Sequence, residues 1–180
     1  MNKHRLVFGG FVMGLISLLV QSVAVVADQA PKETAIDETN FKNFHALSPL
    51  ISTAGLVESA GLAELKSLGY RYVIDLRLPE EGIEEERAEV KKLGMTYVNI
   101  PVGKIWPEDA LLEQFASILN SKESKPILIH CASGNRAGMI WSYYQITSGT
   151  NVDRALSEGR KIGMKPRWEA ALRNRFSIVD

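Results

Sequence analysis

Short apolar runs alternate along this chain with longer segments in which apolar residues recur three and four positions apart. The runs at 72–75, 96–101 and 126–130 have the length and composition of buried strands. Helical spacing is found in the segments around them, at 58–68, 84–93, 110–119, 137–147, 152–162 and 166–176. This alternation predicts an α/β domain with a central, mostly parallel sheet flanked by helices.

Turn residues separate these elements. The stretch 51–55 (ISTAG) is interpreted as a turn that follows a short edge strand at 43–47, and His45 is interpreted as an ordinary side chain of that strand. The sequence Leu-Pro-Glu-Glu-Gly at 78–82 predicts another turn. The segment 137–147 is apolar on most sides, which predicts a buried central helix.

Charged residues follow two of these elements. Asp75 and Arg77 end a strand, where open α/β sheets bind ligands, so Arg77 is interpreted as a residue that faces the substrate or braces a loop, with a structural ion pair as the alternative. The helix predicted at 84–93 begins with an acidic cluster, interpreted as a solvated face because acids are favoured near helix starts. A metal site is the alternative for this cluster, which consists of Glu84, Glu85, Glu86 and Glu89.

Residues 1–27 have the composition of an export signal. Lys3 and Arg5 precede an uncharged apolar stretch at 6–26, and small residues precede a cleavage point after Ala27. We therefore expect export into a bacterial periplasm, with an uncleaved membrane anchor as the alternative. Residues 28–40 are polar and are expected to form a flexible leader, which leaves 41–180 as the folded domain.

Charge and cysteine content narrow the function. Removal of residues 1–27 would leave 19 basic and 21 acidic residues, a net charge of about −2, which does not favour binding to nucleic acid. No zinc-ligand spacing or nucleotide P-loop is visible, so neither a metal nor another cofactor is expected. The one cysteine, Cys131, cannot form a disulfide within the chain.

The segment around Cys131 carries the candidate chemistry. A predicted strand ends at His130, the loop Ala132-Ser133-Gly134-Asn135 follows Cys131, and a helix opens at Arg136-Ala137. Backbone N–H groups of such a loop converge on one point that the helix dipole makes positive, which stabilises a thiolate there. Arg136 can add a bidentate grip on an oxyanion. The alternative for Cys131 is a small buried apolar residue.

The pattern His130-Cys131-x-x-Gly134-x-Arg136 resembles the signature loop of cysteine-dependent tyrosine and dual-specificity phosphatases. It is most similar to the bacterial family called beta-lactamase-hydrolase-like, phosphatase-like. The segments 51–55, 72–77 and 94–102 recur there in the same order, so the resemblance covers roughly 41–164. It implies a dual-specificity-phosphatase-like domain that hydrolyses phosphomonoesters through a phosphocysteine intermediate.

The resemblance also implies roles for individual residues. Cys131 would attack phosphorus, Arg136 and the loop would hold the phosphoryl oxygens, and His130 would brace the loop and bind substrate together with Ala132, Ser133, Gly134, Asn135 and Ala137. Trp106-Pro107-Glu108-Asp109 is similar to the Trp-Pro-Asp loop of tyrosine phosphatases, which makes Asp109 the candidate general acid. The same residues also suit an ordinary helix start. Lys104, where the family often has its acid, could attract an anionic substrate.

Two other functions stay open. Only four residues separate Cys131 from Arg136, one fewer than in ordinary phosphatases, and Ala137 lacks the hydroxyl usual at that position. The short loop resembles that of rhodanese-type sulfurtransferases, and the missing hydroxyl also favours sulfur transfer, in which Cys131 would carry a persulfide between a sulfur donor and an acceptor. A non-catalytic module that binds an anion or a partner is the third possibility. A membrane partner is expected only if the N-terminal segment is uncleaved.

Overall fold

The computed structural model of this chain describes residues 36–123 and 125–176. The expected signal segment 1–27 and most of the expected leader lie outside the described residues. The last part of that leader is described and belongs to the fold. Glu38–Asn40 forms a 3-10 turn, and the backbone N–H of Asp37 and the side-chain amide of Asn40 both donate to Glu64. The fold therefore includes residues just before Phe41.

The described residues form five strands and six α-helices that alternate along most of the chain. The strands are β1 (His45–Ser48), β2 (Ile51–Ala54), β3 (Tyr72–Asp75), β4 (Thr96–Asn99) and β5 (Ile127–His130). The helices are α1 (Ser59–Ser67), α2 (Glu84–Lys92), α3 (Asp109–Asn120), α4 (Asn135–Thr147), α5 (Val152–Ile162) and α6 (Pro166–Arg175). No helix within these residues is long and apolar enough to cross a membrane.

The strands form one sheet in the order β1-β2-β5-β3-β4, in which only β1 runs antiparallel to its neighbour among the described strands. This confirms the predicted α/β fold with a mostly parallel sheet. The prediction of a turn at 51–55 is wrong, because Ile51–Ala54 is an inner strand between β1 and β5. Its polar residues are buried, and the hydroxyl of Ser52 lies 2.5 Å from that of Tyr70.

Two apolar layers cover the faces of the sheet. Ile127 and Ile129 pack into the layer that includes residues of α3, α4, α5 and α6, whereas Leu128 packs into the layer that includes residues of α1. This alternation along β5 is the period of two that a strand buried on both faces requires. The predicted burial of α4 is confirmed, since every residue from Ala137 to Ser142 is buried.

Helices α4 and α5 pack at backbone distance. A Cβ atom on Gly138 would lie 2.4 Å from the carbonyl oxygen of Gly159, and a Cβ on Gly159 would lie 2.1 Å from Oγ of Ser142. Side chains at either glycine would force the helices apart. This close crossing fixes the start of α4, and therefore the loop that precedes it, against the end of α5.

Candidate active site

Cys131 lies where the central strand β5 ends, at the edge where parallel strands place their carboxyl ends. His130 pairs in register with Ala54 on one side and Asp75 on the other, so the loops after β2, β3 and β5 meet there. The N–H of Cys131 donates to the carbonyl of Ala54 at 3.3 Å. Ligands of open α/β sheets bind at this edge, so the location suits a reactive cysteine.

The loop after Cys131 bends back toward the sulfur. Gly134 is the N-cap of α4 and has a φ of 87°, and its N–H donates to Sγ of Cys131 at 3.2 Å. Cys131 itself is 1% exposed. Burial alone also suits a structural cysteine, but an amide aimed at the sulfur from a helix N-terminus is an arrangement that stabilises a thiolate.

Gly134 is also the position where the loop has no room for a side chain. A Cβ there would lie 2.2 Å from the carbonyl oxygen of Ile162 and 2.5 Å from Nδ2 of Asn43. Asn43 fastens these two segments, because its Nδ2 donates to Ile162 at 2.6 Å and to the carbonyl of Ser133 at 3.4 Å. Nε2 of His45 lies 2.9 Å from Oδ1 of Asn43, and this contact helps to hold the Asn43 side chain in place.

Two further contacts fix the backbone of the loop. Gly55 and Ser133 form an isolated antiparallel bridge, and a Cβ on Gly55 would lie 3.0 Å from the Cα of Ser133. Oδ1 of Asn135 accepts from the N–H of Lys165 at 2.8 Å. The loop is therefore held on both sides before any substrate arrives.

Arg136 is held by a carboxylate that the sequence analysis did not assign to the site. Its Nη1 and Nη2 donate to Oε2 and Oε1 of Glu81 at 2.5 Å and 2.7 Å, and Nη1 also donates to the carbonyl of Val102 at 3.2 Å. The hydrogen bonds to Glu81 raise the pKa of Arg136 despite its partial burial. The same bonds lower the pKa of Glu81, so the pair is charged at neutral pH.

His130 lies in a buried polar cluster next to the cysteine. Nδ1 of its ring lies 3.3 Å from the carbonyl oxygen of Gly55, which can only accept, so Nδ1 is the donor. Nε2 lies 2.8 Å from Oε1 of Glu86 and 3.7 Å from Oδ1 of Asp75. The contact with Glu86 has the distance of an ion pair without the alignment of a hydrogen bond.

Arg77 joins the two carboxylates of this cluster. It contacts Asp75 through its backbone N–H, Nε and Nη2 at 2.7 to 3.1 Å, and its Nη2 lies 2.5 Å from Glu86. Burial would raise the pKa of Asp75, but bonds from Arg77 and Tyr97 and the charge of His130 outweigh burial and lower it. Burial would lower the pKa of Arg77, yet the two carboxylates keep it raised. Arg77 therefore forms a structural ion pair that braces the site.

This cluster corrects one prediction and clarifies another. The acidic cluster of α2 is solvated at Glu84 and Glu85, but the side chain of Glu86 is 10% exposed and points inward to Arg77 and His130. Asp75, Glu86 and His130 offer ligand atoms within 4.8 Å of one another, as a metal site would. Arg77 already pairs with both carboxylates, so its guanidinium supplies the positive charge that a cation would bring.

The loop between β4 and α3 holds the candidate acid. Asp109 is the first residue of α3 and forms an ion pair with Arg175, which leaves its side chain 69% exposed. Arg175 also lies over the rings of Trp106 and Tyr143. Lys104 is exposed, and its carbonyl accepts from Arg167 at 2.6 Å. In this structure Asp109 therefore contacts the C-terminal helix, and its role as general acid stays a prediction.

The structure brings most of the predicted site together in one loop. His130, Cys131 and Gly134 make the contacts above, and Arg136 lies in the first turn of α4. The other predicted positions belong to the same loop and helix start: Ala132, Ser133, Asn135 and Ala137. Sequence reasoning missed Asn43, Glu81 and Glu86. Glu81 lies in the turn 78–82, which follows the carboxyl end of a strand. Because ligands bind at the carboxyl ends of strands, this position could have drawn attention to Glu81.

Comparison with known proteins agrees with this geometry. The model of the family described as DSP-PTPase phosphatase fused to NAD+ kinase matches residues 24–172. The chain belongs to this family. The expected membership in the cysteine-dependent phosphatase superfamily is confirmed, and so is the dual-specificity-phosphatase-like fold.

Curated relatives match a shorter part of this phosphatase-family chain. A beta-lactamase hydrolase-like protein of Xylella fastidiosa is 30% identical over 86 residues, which are 45% of this chain and 20% of that protein. A second strain of the same organism has a protein that matches equally. The matched region thus spans about a fifth of the length of these relatives.

Solved structures share the fold. A DUF442 phosphatase structure from Shewanella putrefaciens is 24% identical, covers 78% of this chain and 95% of its own, and has a TM-score of 0.62. TpbA of P. aeruginosa, in complex with pTyr, is 21% identical with coverages of 76% and 85% and a TM-score of 0.60. The catalytic core of the PP-IP phosphatase SIW14 of S. cerevisiae is 18% identical with coverages of 77% and 86% and a TM-score of 0.63.

Proposed function

We propose that this protein hydrolyses phosphomonoesters of the tyrosine or dual-specificity type through a phosphocysteine intermediate. The observation that carries the proposal is the convergence on Cys131 of the Gly134 N–H, which donates to Sγ at 3.2 Å, and the N-terminus of α4, the helix that also carries Arg136. Such a convergence neutralises an oxyanion without reorganisation at the moment of reaction. Family membership and the fold neighbours TpbA and SIW14 support the same chemistry.

The reaction would run in two displacements at phosphorus. The thiolate of Cys131 attacks the phosphorus, the bond from phosphorus to the ester oxygen breaks, and Asp109 gives that oxygen a proton. Water then attacks the phosphocysteine and gives a proton to the Asp109 carboxylate, the bond from sulfur to phosphorus breaks, and Cys131 leaves as a thiolate with release of inorganic phosphate. In both steps Arg136 and the loop amides hold the phosphoryl oxygens. For Asp109 to act, the segment that carries it would have to leave its pairing with Arg175.

The test is a side-by-side assay of the purified protein. Release of phosphate from an aryl phosphate is measured beside release of thiocyanate from thiosulfate and cyanide, with Cys131→Ser as the control. Phosphate release that depends on Cys131 is the expected result. A well-folded protein that releases no phosphate from any aryl or small phosphate ester would overturn the proposal.

Sulfur transfer is the second candidate, because the loop from Cys131 to Arg136 is one residue short and the buried Ala137 provides no hydroxyl. In this reaction Cys131 would accept a sulfane sulfur from a donor and pass it to a thiol or to cyanide. Mass spectrometry after treatment with thiosulfate would then find one additional sulfur atom on Cys131. Thiocyanate release without phosphate release would favour this candidate over hydrolysis.

A further inference from the structure

We propose that Glu81 is a positioning residue that sets the orientation of Arg136 so that one edge of the guanidinium faces an incoming phosphoryl group. The proposal rests on the proposed function, since it assigns Arg136 to the phosphoryl oxygens. It adds a residue outside the Cys131 loop to the working site. Glu81 lies in the turn after β3, and it is 55 residues from Arg136 in the chain.

The hydrogen bonds of Arg136 show which edge stays available. A guanidinium has five N–H groups, two on each Nη and one on Nε. Both N–H groups of Nη1 are engaged, by Glu81 and the carbonyl of Val102, and one N–H of Nη2 is engaged by Glu81. The Nε–H and the second N–H of Nη2 remain, and together they form one edge. This edge is the part of Arg136 left to grip two oxygens of a phosphoryl group.

Glu81 is itself fixed by the backbone of its turn. Its Oε2 accepts from the N–H of Leu78 at 2.7 Å, and its backbone N–H donates to the carbonyl of Leu78 at 2.9 Å, so two hydrogen bonds span the 3-10 turn Pro79–Glu81. Gly82 ends this turn in the left-handed region with a φ of 79°. The carboxylate is thus oriented by its own turn and transmits that orientation to Arg136.

A carboxylate beside the anion-binding arginine has two opposing effects. Its negative charge weakens the attraction between Arg136 and a substrate anion, whereas its two hydrogen bonds remove rotamers that Arg136 would otherwise lose on binding. The side chains of Glu81 and Arg136 are 31% and 14% exposed, so water partly screens the repulsion. We expect the orienting effect to outweigh the repulsion, because Glu81 accepts from the edge of the guanidinium that does not face the substrate.

The matched variants are Glu81→Gln and Glu80→Gln. Gln at 81 keeps an oxygen that can accept from Leu78, so the turn is preserved while the charged pair with Arg136 is lost. Glu80 is the exposed neighbour in the same turn and serves as the control. The probe is tungstate, a tetrahedral oxyanion, and its binding to each purified protein is measured by isothermal titration calorimetry.

The expected result is a dissociation constant for tungstate that rises about 10-fold or more in Glu81→Gln, as loss of a charge-assisted contact predicts. Glu80→Gln should match the wild type. Aryl phosphatase kcat/KM should fall by up to about 100-fold in Glu81→Gln, as misplacement of a catalytic group predicts. Unchanged binding in Glu81→Gln, or tighter binding because repulsion is removed, would overturn the inference.

A double substitution tests whether Glu81 acts through Arg136. In an Arg136→Ala background, Glu81→Gln should change the dissociation constant for tungstate less than about 2-fold, because Glu81 affects binding only through its contact with Arg136. An undiminished effect of Glu81 in that background would contradict the mechanism. Binding that depends on Glu81 in a protein without phosphatase activity would overturn the proposed function alone. Normal hydrolysis with an inert Glu81 would overturn this inference alone.

Discussion

His130 and Glu86 form a buried pair in which Nε2 of the ring lies 2.8 Å from Oε1 of the carboxylate. His130 immediately precedes Cys131, while Glu86 is on helix α2, which packs near strand β4. The pair therefore couples a surface helix to the residue next to the proposed nucleophile. With Asp75 and Arg77 it forms a cluster of two carboxylates and one guanidinium, to which a protonated His130 would add the balancing charge.

Glu86→Gln should destabilise the fold strongly. The substitution removes one negative charge from a cluster whose other side chains are 7% exposed or less, so the ion pair of Glu86 with Arg77 and its contact with His130 are both lost. Removal of one partner from a buried pair costs about 3 to 5 kcal/mol. Urea unfolding followed by circular dichroism would measure this loss in the free energy of unfolding.

Glu85→Gln is the matched control for this variant. Glu85 is the preceding residue on the same helix and is exposed, so its replacement should change the free energy of unfolding by less than about 0.5 kcal/mol. If both variants unfold at the same urea concentration, Glu86 contributes no more than a surface acid and the cluster does not brace the fold.

Asp75 predicts the pH dependence of stability. Its pKa is lowered in the folded protein, so its contribution is fully present above the unfolded pKa of about 3.9 and is lost as the pH falls through the folded value. Asp75→Asn lacks this ionisation. The variant should therefore be much less stable than the wild type at about pH 7, and the difference should shrink below about pH 4. Urea unfolding of both proteins across this range would reveal a constant difference if the prediction fails.

The fold was predictable because its elements obey simple periodicities. Strand β5 is a short apolar run, and the helices carry apolar residues at helical spacing, so their order alone predicted the α/β class. Strand β2 was missed because Ser52 and Thr53 are common turn residues, and their burial depends on neighbouring strands that are distant in the chain. Tertiary pairing decided that segment, and local composition could not predict it.

The candidate site was predictable only within the Cys131 loop. Cys131, Gly134 and Arg136 are close in the chain, so their spacing alone indicates a loop that binds an oxyanion beside a cysteine. Glu81 and Glu86 reach the site from the turn after β3 and from α2. Acidic residues near a helix start are usually solvated, so the inward orientation of Glu86 had no local signal. It follows from the buried guanidinium of Arg77 that the fold places beside it.

Gly159→Ala tests the close crossing of α4 and α5. Alanine favours a helix over glycine by about 1 kcal/mol, so the substitution would stabilise an isolated α5. Here the new Cβ would lie 2.1 Å from Oγ of Ser142 and 2.8 Å from the carbonyl oxygen of Gly138. Overpacking costs about 1 to 3 kcal/mol, and because backbone must move we expect a net loss of at least about 1 kcal/mol. Thermal unfolding would measure it.

Gly103→Ala provides the comparison for this loss. A Cβ at Gly103 would meet no atom nearer than 4.0 Å, and its φ lies outside the left-handed region. Its free energy of unfolding should stay within about 0.5 kcal/mol of the wild type. A Gly159→Ala protein as stable as this control would mean that α4 and α5 can separate without cost.

Asp109→Asn tests the candidate general acid through the choice of leaving group. A general acid matters most when the leaving oxygen is basic, so hydrolysis of an alkyl phosphate should slow by about 10²-fold or more, while hydrolysis of a nitrophenyl phosphate slows much less. Glu108→Gln, at the adjacent N-cap position of α3, controls for the loss of a carboxylate in this segment. Equal slowing of both esters would instead assign Asp109 to its ion pair with Arg175, which links α3 to α6. In that case the proton for the leaving group comes from another residue.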